Sequence, residues 1–296
     1  IAIKDASDAI LWSWHVWVTD EDINNVIEIT NHQNVKYNFM PVNLGQCDGN
    51  TITYEERSCK VKFTAGDQSK EITIKQLANV IATGSNAPFY QWGRKDPLYP
   101  SNGMDNTTKI WYDKEGMPST ANPMEGTFST GNDCIKNCIL NPNLMHNKNF
   151  GDNTYYNLWS ADNKTTSAND NPVIKTIYDP CPVGFKLPAS NAFTGFTTTG
   201  ESASSSTQVN GTWSSSEKGW YFYTNSEKTQ HIFFTALGRR SYTSMLVGAT
   251  GTQCLFWSAH SVAKNKNYYL FANSTSVRPT YTADRGFGYA LRPCQD

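Results

Sequence analysis

Cysteine and histidine carry most of the chemistry that this chain can arrange. The seven cysteines stand at 47, 59, 134, 138, 181, 254 and 294, and their spacings do not build the paired C-x-x-C knuckles of a zinc site. Disulfides are therefore the better reading. Cys47 and Cys59 flank a turn-rich stretch with Asp48 and Gly49 and are candidates for closing a hairpin, while Cys134 and Cys138 are candidates for stapling one helical turn or loop. An odd number leaves at least one thiol free. A reducing compartment with every thiol free is the alternative, because spacing does not fix connectivity. The histidines His15, His32, His146, His231 and His260 are scattered, and none forms H-E-x-x-H, so no catalytic zinc is expected.

Carboxylates give no stronger pattern. Asp20, Glu21, Asp22, Ile23 and Asn24 begin like a calcium loop, but Asn25 replaces the turn glycine and Asn31 the bidentate Glu. A solvated turn is the simpler reading, although converging oxygens of another geometry would still suit calcium. G-x-S-x-G, the Walker loop and G-x-G-x-x-G are missing; Gly286 and Gly288 form only a G-x-G. Hydrolase and nucleotide readings lose their basis together. Sequons begin at Asn106, Asn163, Asn210 and Asn273, as an Asn- and Thr-rich chain produces by chance.

The elements that must position these residues are short. The 296 residues carry 25 basic and 26 acidic groups, a formal charge of -1, which gives no electrostatic reason to expect nucleic acid as a partner. Charged residues are only 17%, so neutral Asn, Ser, Thr, Tyr and Trp make the surface, a habit of secreted β-rich proteins and of paratope-like faces. No apolar run approaches the ~20 residues of a membrane span. The chain opens at Ile1 without Met, as expected of a mature segment whose targeting or anchoring sequence lies upstream.

Residues 9–18, AILWSWHVWV, read as a buried strand; 51–63 and 70–74 read as short strands, and 74–82 as a helix of about two turns. From Gly84 to about Asp170 the chain reads as loops pinned by aromatics, and 197–212 as a flexible surface loop. Short strands are expected at Trp220–Thr224, His231–Thr235, Leu255–Ala259, Tyr268–Ala272 and Gly288–Arg292. The fold class is α+β, mainly antiparallel sheet with few short helices and long loops, in a single elaborated domain over 1–296.

Four segments carry a resemblance: LWSWHVWVTD at 11–20, FYQWGRKDPL at 89–98, YDPCPVGFKLP at 178–188, and a stretch from Ala236 to Cys294 with LGRRSYT, FWSAH, YYLFANSTSV and RPTYTADRGFGYALRPC. In this order they resemble Bacteroidetes surface and fimbrial-type proteins related to the C-type-lectin-like and formylglycine-generating-enzyme superfamily. The resemblance implies a C-type-lectin-like fold whose two ends share one sheet, and a Cys181–Cys294 bridge that closes the long loop between them. In YDPCPVGFKLP the prolines fix an extended approach, Gly184 permits a turn, and a helix is allowed from Pro188 with Ser190 or Asn191 as cap.

Residues 236–294 also look like the variable region of diversity-generating-retroelement target proteins. That resemblance assigns Trp257, Ser258, Tyr269, Pro279, Arg285, Gly286 and Arg292 to the scaffold. It assigns ligand binding to Arg239, Tyr242, Thr243, Leu246, Gln253, Leu255, His260, Val262, Thr280, Tyr281, Thr282 and Asp284. Lectin E-P-N, Q-P-D and W-N-D motifs are missing, and Cys254 has no close cysteine partner, so neither calcium-dependent sugar binding nor the formylglycine-generating activity carries over. The implied protein is no enzyme and needs no cofactor. It is expected to be an extracellular adhesin of a bacterial surface or pilus tip, binding a protein or glycan on another cell or on a phage or host surface. An enzyme of the formylglycine-generating superfamily and a purely structural pilus subunit are the alternatives.

Overall fold

β-Branched and aromatic runs broken by Gly, Asn, Asp and Pro turns become short strands in the computed structural model, which describes residues 1–46, 52–81, 87–98, 111–112, 117–119, 132–146, 157–163, 166–263 and 265–296. All pairings between these strands are antiparallel. One α-helix, α1 (Asn132–Leu140), and two short 3₁₀ turns, at Thr194–Phe196 and Ser206–Gln208, complete the described elements. The architecture is thus largely β.

The long sheet is an antiparallel meander of Gln253–Ala263, Lys266–Asn273 and Val277–Asp284. Side chains alternate across its first strand. Cys254 and Phe256 enter one apolar cluster with Phe39, Phe193, Phe196, Phe222 and Phe234; Leu255, Trp257 and Ala259 enter a second with Tyr90, Trp92, Trp159 and Leu291. A strand buried on both faces reads as a continuous apolar run, which is the pattern of LFW. The first cluster is roofed by a second meander, Gly211–Ser214, Gly219–Tyr223 and His231–Thr235.

Two four-stranded sheets join distant parts of the chain. In one, Cys294–Gln295 lies between Phe185–Lys186 and Lys36–Phe39, with Ile27–Thr30 outermost. The other runs Val247–Gly248, Arg239–Arg240, Gly288–Tyr289 and Tyr90–Gln91. The C-terminal strand is tied further by Arg292, which is 1% exposed. Its Nε donates to Asn43 Oδ1 at 2.8 Å, Nη1 to the carbonyls of Met40 and Pro41, and Nη2 to that of Phe233, while the guanidinium lies over the Phe234 ring.

Several expectations change. The strand in residues 9–18 is only Ile10–Ser13, paired with Ala2–Lys4, and Leu11, Trp14, Val16 and Val18 are exposed, because the short N-terminal hairpin covers one side alone. No helix occupies 74–81. Ile74 pairs with Cys59 in the hairpin Arg57–Ala65/Gln68–Gln76, and Asn79–Ile81 pairs with Ile52–Tyr54; ladder bonds along a nine-residue hairpin outweigh the propensity of two marginal helical turns. After Pro188 only a 3₁₀ turn forms. The 197–212 loop is pinned rather than free: Ala203 exchanges backbone bonds with Val277, and Ala203 and Val209 are buried.

Replacing Arg292 by Met, of similar volume, leaves one side-chain and three backbone acceptors without their donor. Arg292→Met is expected to lower the unfolding free energy by about 3 kcal/mol or more, read as a lower urea midpoint at unchanged slope.

Candidate ligand-binding surface

The long sheet presents a row of aromatic rings at its second and third strands. Register makes the row. Tyr269 pairs with Tyr281 and Phe271 with Arg278, so two steps on one strand match three on the other across an irregularity between these pairs. Strict alternation would send Arg278 and Tyr281 to opposite faces; the extra residue brings them to the same one. There the Arg278 guanidinium lies 4.7 Å from the Tyr281 centroid and 5.5 Å from that of Phe271.

The rings continue without a break. Tyr281 meets Tyr269 at 5.7 Å, Tyr269 meets Tyr289 at 4.7 Å, and Tyr289 stacks on Phe287 at 5.9 Å and 8°. Phe287 receives Tyr242 edge-on at 4.9 Å and the Arg239 guanidinium at 4.9 Å. Trp257 supports the row from below, 4.4 Å from Tyr289, and its Nε1 donates to the Tyr90 carbonyl. Gly238 sets the approach of Arg239: at φ +73 its place favours glycine, and a Cβ would meet the Gly248 carbonyl and come within 2.6 Å of Thr250 N.

The row has a buried floor and a solvated rim. Trp257, Tyr269 and Tyr289 are buried, whereas Tyr281 is 41% exposed and Arg239, Tyr242, Phe271, Arg278, Asp284 and Phe287 are half-buried. Burial pushes the Tyr269 and Tyr289 hydroxyls well up, so the floor stays neutral. Burial, followed by the nearby Asp284 carboxylate, also raises Tyr242, whose hydroxyl donates to Asp284 Oδ2 at 3.1 Å. Neither the Arg239 nor the Arg278 guanidinium has a hydrogen bond or carboxylate partner among the described residues. Two planar cations over aromatic faces, with free donors, can hold an anionic group while the rings pack a flat apolar or sugar face.

Of the residues assigned to binding from sequence, Arg239, Tyr242, Tyr281 and Asp284 belong to this surface. Thr243, Leu246, Gln253, Val262, Thr280 and Thr282 are exposed or half-buried, yet no ring contact or side-chain hydrogen bond joins them to the row. Leu255 and His260 are each 1% exposed and are not displayed. Leu255 faces the second apolar cluster. His260 Nδ1 accepts from Ser190 N at 3.3 Å, and its Nε2 has no partner among the described residues. The residues assigned to the scaffold, Trp257, Ser258, Tyr269, Pro279, Arg285, Gly286 and Arg292, are all buried. Sequence reasoning missed Phe271, Arg278 and Phe287; Arg278 three residues before Tyr281 becomes legible only with the register irregularity.

Every described cysteine is a free thiol. Cys59 is exposed on its hairpin, and Cys47 lies outside the described residues. The closure expected of a Cys181–Cys294 bridge is made by backbone, since Cys294 pairs with both Lys186 and Phe39. Burial pushes both thiols up, Cys294 to about 12. Instead of a staple, Cys134 and Cys138 offer two thiols on one face of α1, both against His146 Nε2. Their C-x₃-C-x₇-H spacing is neither of the patterns considered in the sequence, paired C-x-x-C knuckles and H-E-x-x-H. Searches against protein families, curated proteins and solved structures found no match for this chain.

His260 gives this region a measurable pH dependence. Burial pushes its imidazole down to about 4, with Asp170 opposing weakly. The unfolded chain therefore binds a proton between pH 6.5 and 4 that the folded chain refuses, and stability falls as pH falls through that window. Acidification from pH 6.5 to 4 is expected to cost about 3 kcal/mol through this group. His260→Gln should flatten that part of the stability–pH curve, read from urea midpoints.

Proposed function

We propose that the chain is a ligand-binding protein of a bacterial cell surface or pilus tip, holding its binding face on a C-type-lectin-like scaffold and catalysing no reaction. The observation that carries this reading is the aromatic row with a guanidinium at each end, each lying over rings and neither hydrogen-bonded nor ion-paired among the described residues. Tyr, Phe and Arg on a rigid sheet supply contact area at low ordering cost, as hot-spot residues do. The ligand is a protein or glycan that offers an anionic group beside a flat face.

Three further observations support it. The last strand, Cys294–Gln295, pairs beside the N-terminal segment in one sheet, as a lectin-like module requires. The residues expected to form scaffold are buried, while ten of the twelve expected to be displayed reach solvent. Among the described residues the row holds no thiol, imidazole or amine, and at its one hydroxyl–carboxylate contact, Tyr242 to Asp284, the hydroxyl is pushed further from ionisation. Extracellular placement and a single domain over 1–296 belong to the same reading.

Two measurements test it. Binding of the purified chain to arrays of acidic and neutral glycans and to host-cell surface proteins is expected to be salt-sensitive, and to fall at least ~10-fold in Arg239→Ala, Arg278→Ala and Tyr281→Ala at unchanged thermal midpoint. A ligand held equally well by all three variants sinks the assignment of the surface. Independently, sibling copies of the gene are expected to vary at Arg239, Tyr242, Thr243, Leu246, Tyr281 and Asp284, which all reach solvent, and to keep the buried Trp257, Pro279, Arg285 and Arg292. An unvarying 3′ end with no near-copy beside a reverse transcriptase leaves an adhesin of fixed specificity.

A further inference from the structure

Away from the aromatic row, three soft ligand atoms converge in the interior. Helix α1 sets Cys134 and Cys138 four residues apart, hence on one face. The chain then turns at Asn141–Leu144 and returns His146 to that face. His146 Nε2 stands 3.2 Å from Cys134 Sγ and 2.9 Å from Cys138 Sγ, and the three ligand atoms all lie within 4.8 Å of one another. All three residues are buried, at 1%, 9% and 2% exposure, which leaves a reactive Cys–His pair without access to a substrate.

We infer that Cys134, Cys138 and His146 form a binding site for a zinc ion, with two thiolates and one imidazole nitrogen as ligands. The set matches zinc's preference for sulfur and nitrogen, and a tetrahedral ion needs S···N edges of about 3.6 Å, so His146 must move back from the two sulfurs by about 0.4 and 0.7 Å to admit it. A small cavity lined by Gly93, Arg94, Lys95, Leu158 and Tyr178 borders Cys138. Two thiolates neutralise the ion. Arg94 adds positive charge beside both thiols and Arg285 beside Cys134, which favours the thiolate forms that a cation needs. Binding releases whatever thiol proton remains, so uptake strengthens as pH rises.

The surroundings brace the ligands. Gln91 Oε1 accepts from His146 N at 2.9 Å, and Gln91 Nε2 donates to the carbonyls of His146 and Gly286. Arg94 donates to the carbonyls of Pro142 and Leu144 in the connecting turn. An ion here clamps α1 and its turn to the strand Tyr90–Gln91, and through Gly286 to the segment that carries Phe287.

The test uses the whole chain, purified with a chelator and a phosphine reductant and then titrated with Zn²⁺ or Co²⁺ alone. One equivalent of Zn²⁺ is expected to bind and to raise the thermal midpoint by about 5–10 °C. Co²⁺ should give thiolate-to-metal charge-transfer bands with intense tetrahedral ligand-field bands. Cys134→Ser, Cys138→Ser and His146→Gln should each weaken Zn²⁺ at least ~100-fold, and Cys59→Ser should leave it unchanged. Should those variants fail to fold, the Co²⁺ spectrum of the unmodified chain decides. No uptake, a Co²⁺ spectrum without thiolate bands, or full affinity in a folded Cys138→Ser overturns the inference.

Discussion

A buried cation without a buried anion is the constraint on which the assembly of this chain turns. Arg292 is enclosed at the meeting of the N-terminal 40–43 loop, the strand His231–Thr235 and the C-terminal strand, and carbonyl oxygens answer its charge. Carbonyl acceptors are fixed in direction, so the guanidinium is satisfied only when all three segments are in place together. Arg94 and Arg285 are buried cations as well, and each is held by hydrogen bonds to separate segments. Arg285 reaches Asn267 and Ser261 and lies 4.4 Å over Trp92, and Arg94 gathers the turn after α1. A loop-rich chain thereby gains the tertiary cross-linking that its described thiols do not provide.

From this follows the division of labour in the long sheet. One face and much of the other are sealed by two apolar clusters, and what remains open lies toward the third strand, where the ring row surfaces. The register irregularity between Tyr269 and Phe271 decides which side chains appear there. A regular ladder would have separated Arg278 from Tyr281 and left the row with a cation at one end only.

Much of this was legible in the sequence and some was not, for physical reasons. The strands at Trp220–Thr224, His231–Thr235 and Tyr268–Ala272 lie within a residue or two of Gly219–Tyr223, His231–Thr235 and Lys266–Asn273, because dense β-branched and aromatic runs leave little choice of conformation. Residues 74–82 misled because an apolar spacing over two turns is too short to outvote a hairpin partner. Leu255 and His260 misled because a strand covered on both faces has no outward positions, which one strand's pattern does not reveal. The cysteines misled most. Spacing alone does not distinguish a covalent staple from two thiols turned toward a histidine eight residues on, since the turn at Asn141–Leu144 that returns His146 has no strong signature.

The separation of floor from rim has one more consequence. Trp257, Tyr269 and Tyr289 hold the geometry of the row from beneath, while Arg239, Tyr281 and Arg278 are half in water and anchored only to neighbouring rings. Exchanging a rim side chain therefore draws little on the 5–15 kcal/mol or so that keeps a domain folded. On the proposed reading of the row, what the chain can tolerate is thereby decoupled from what it would recognise, and a lineage could explore the second at small risk to the first.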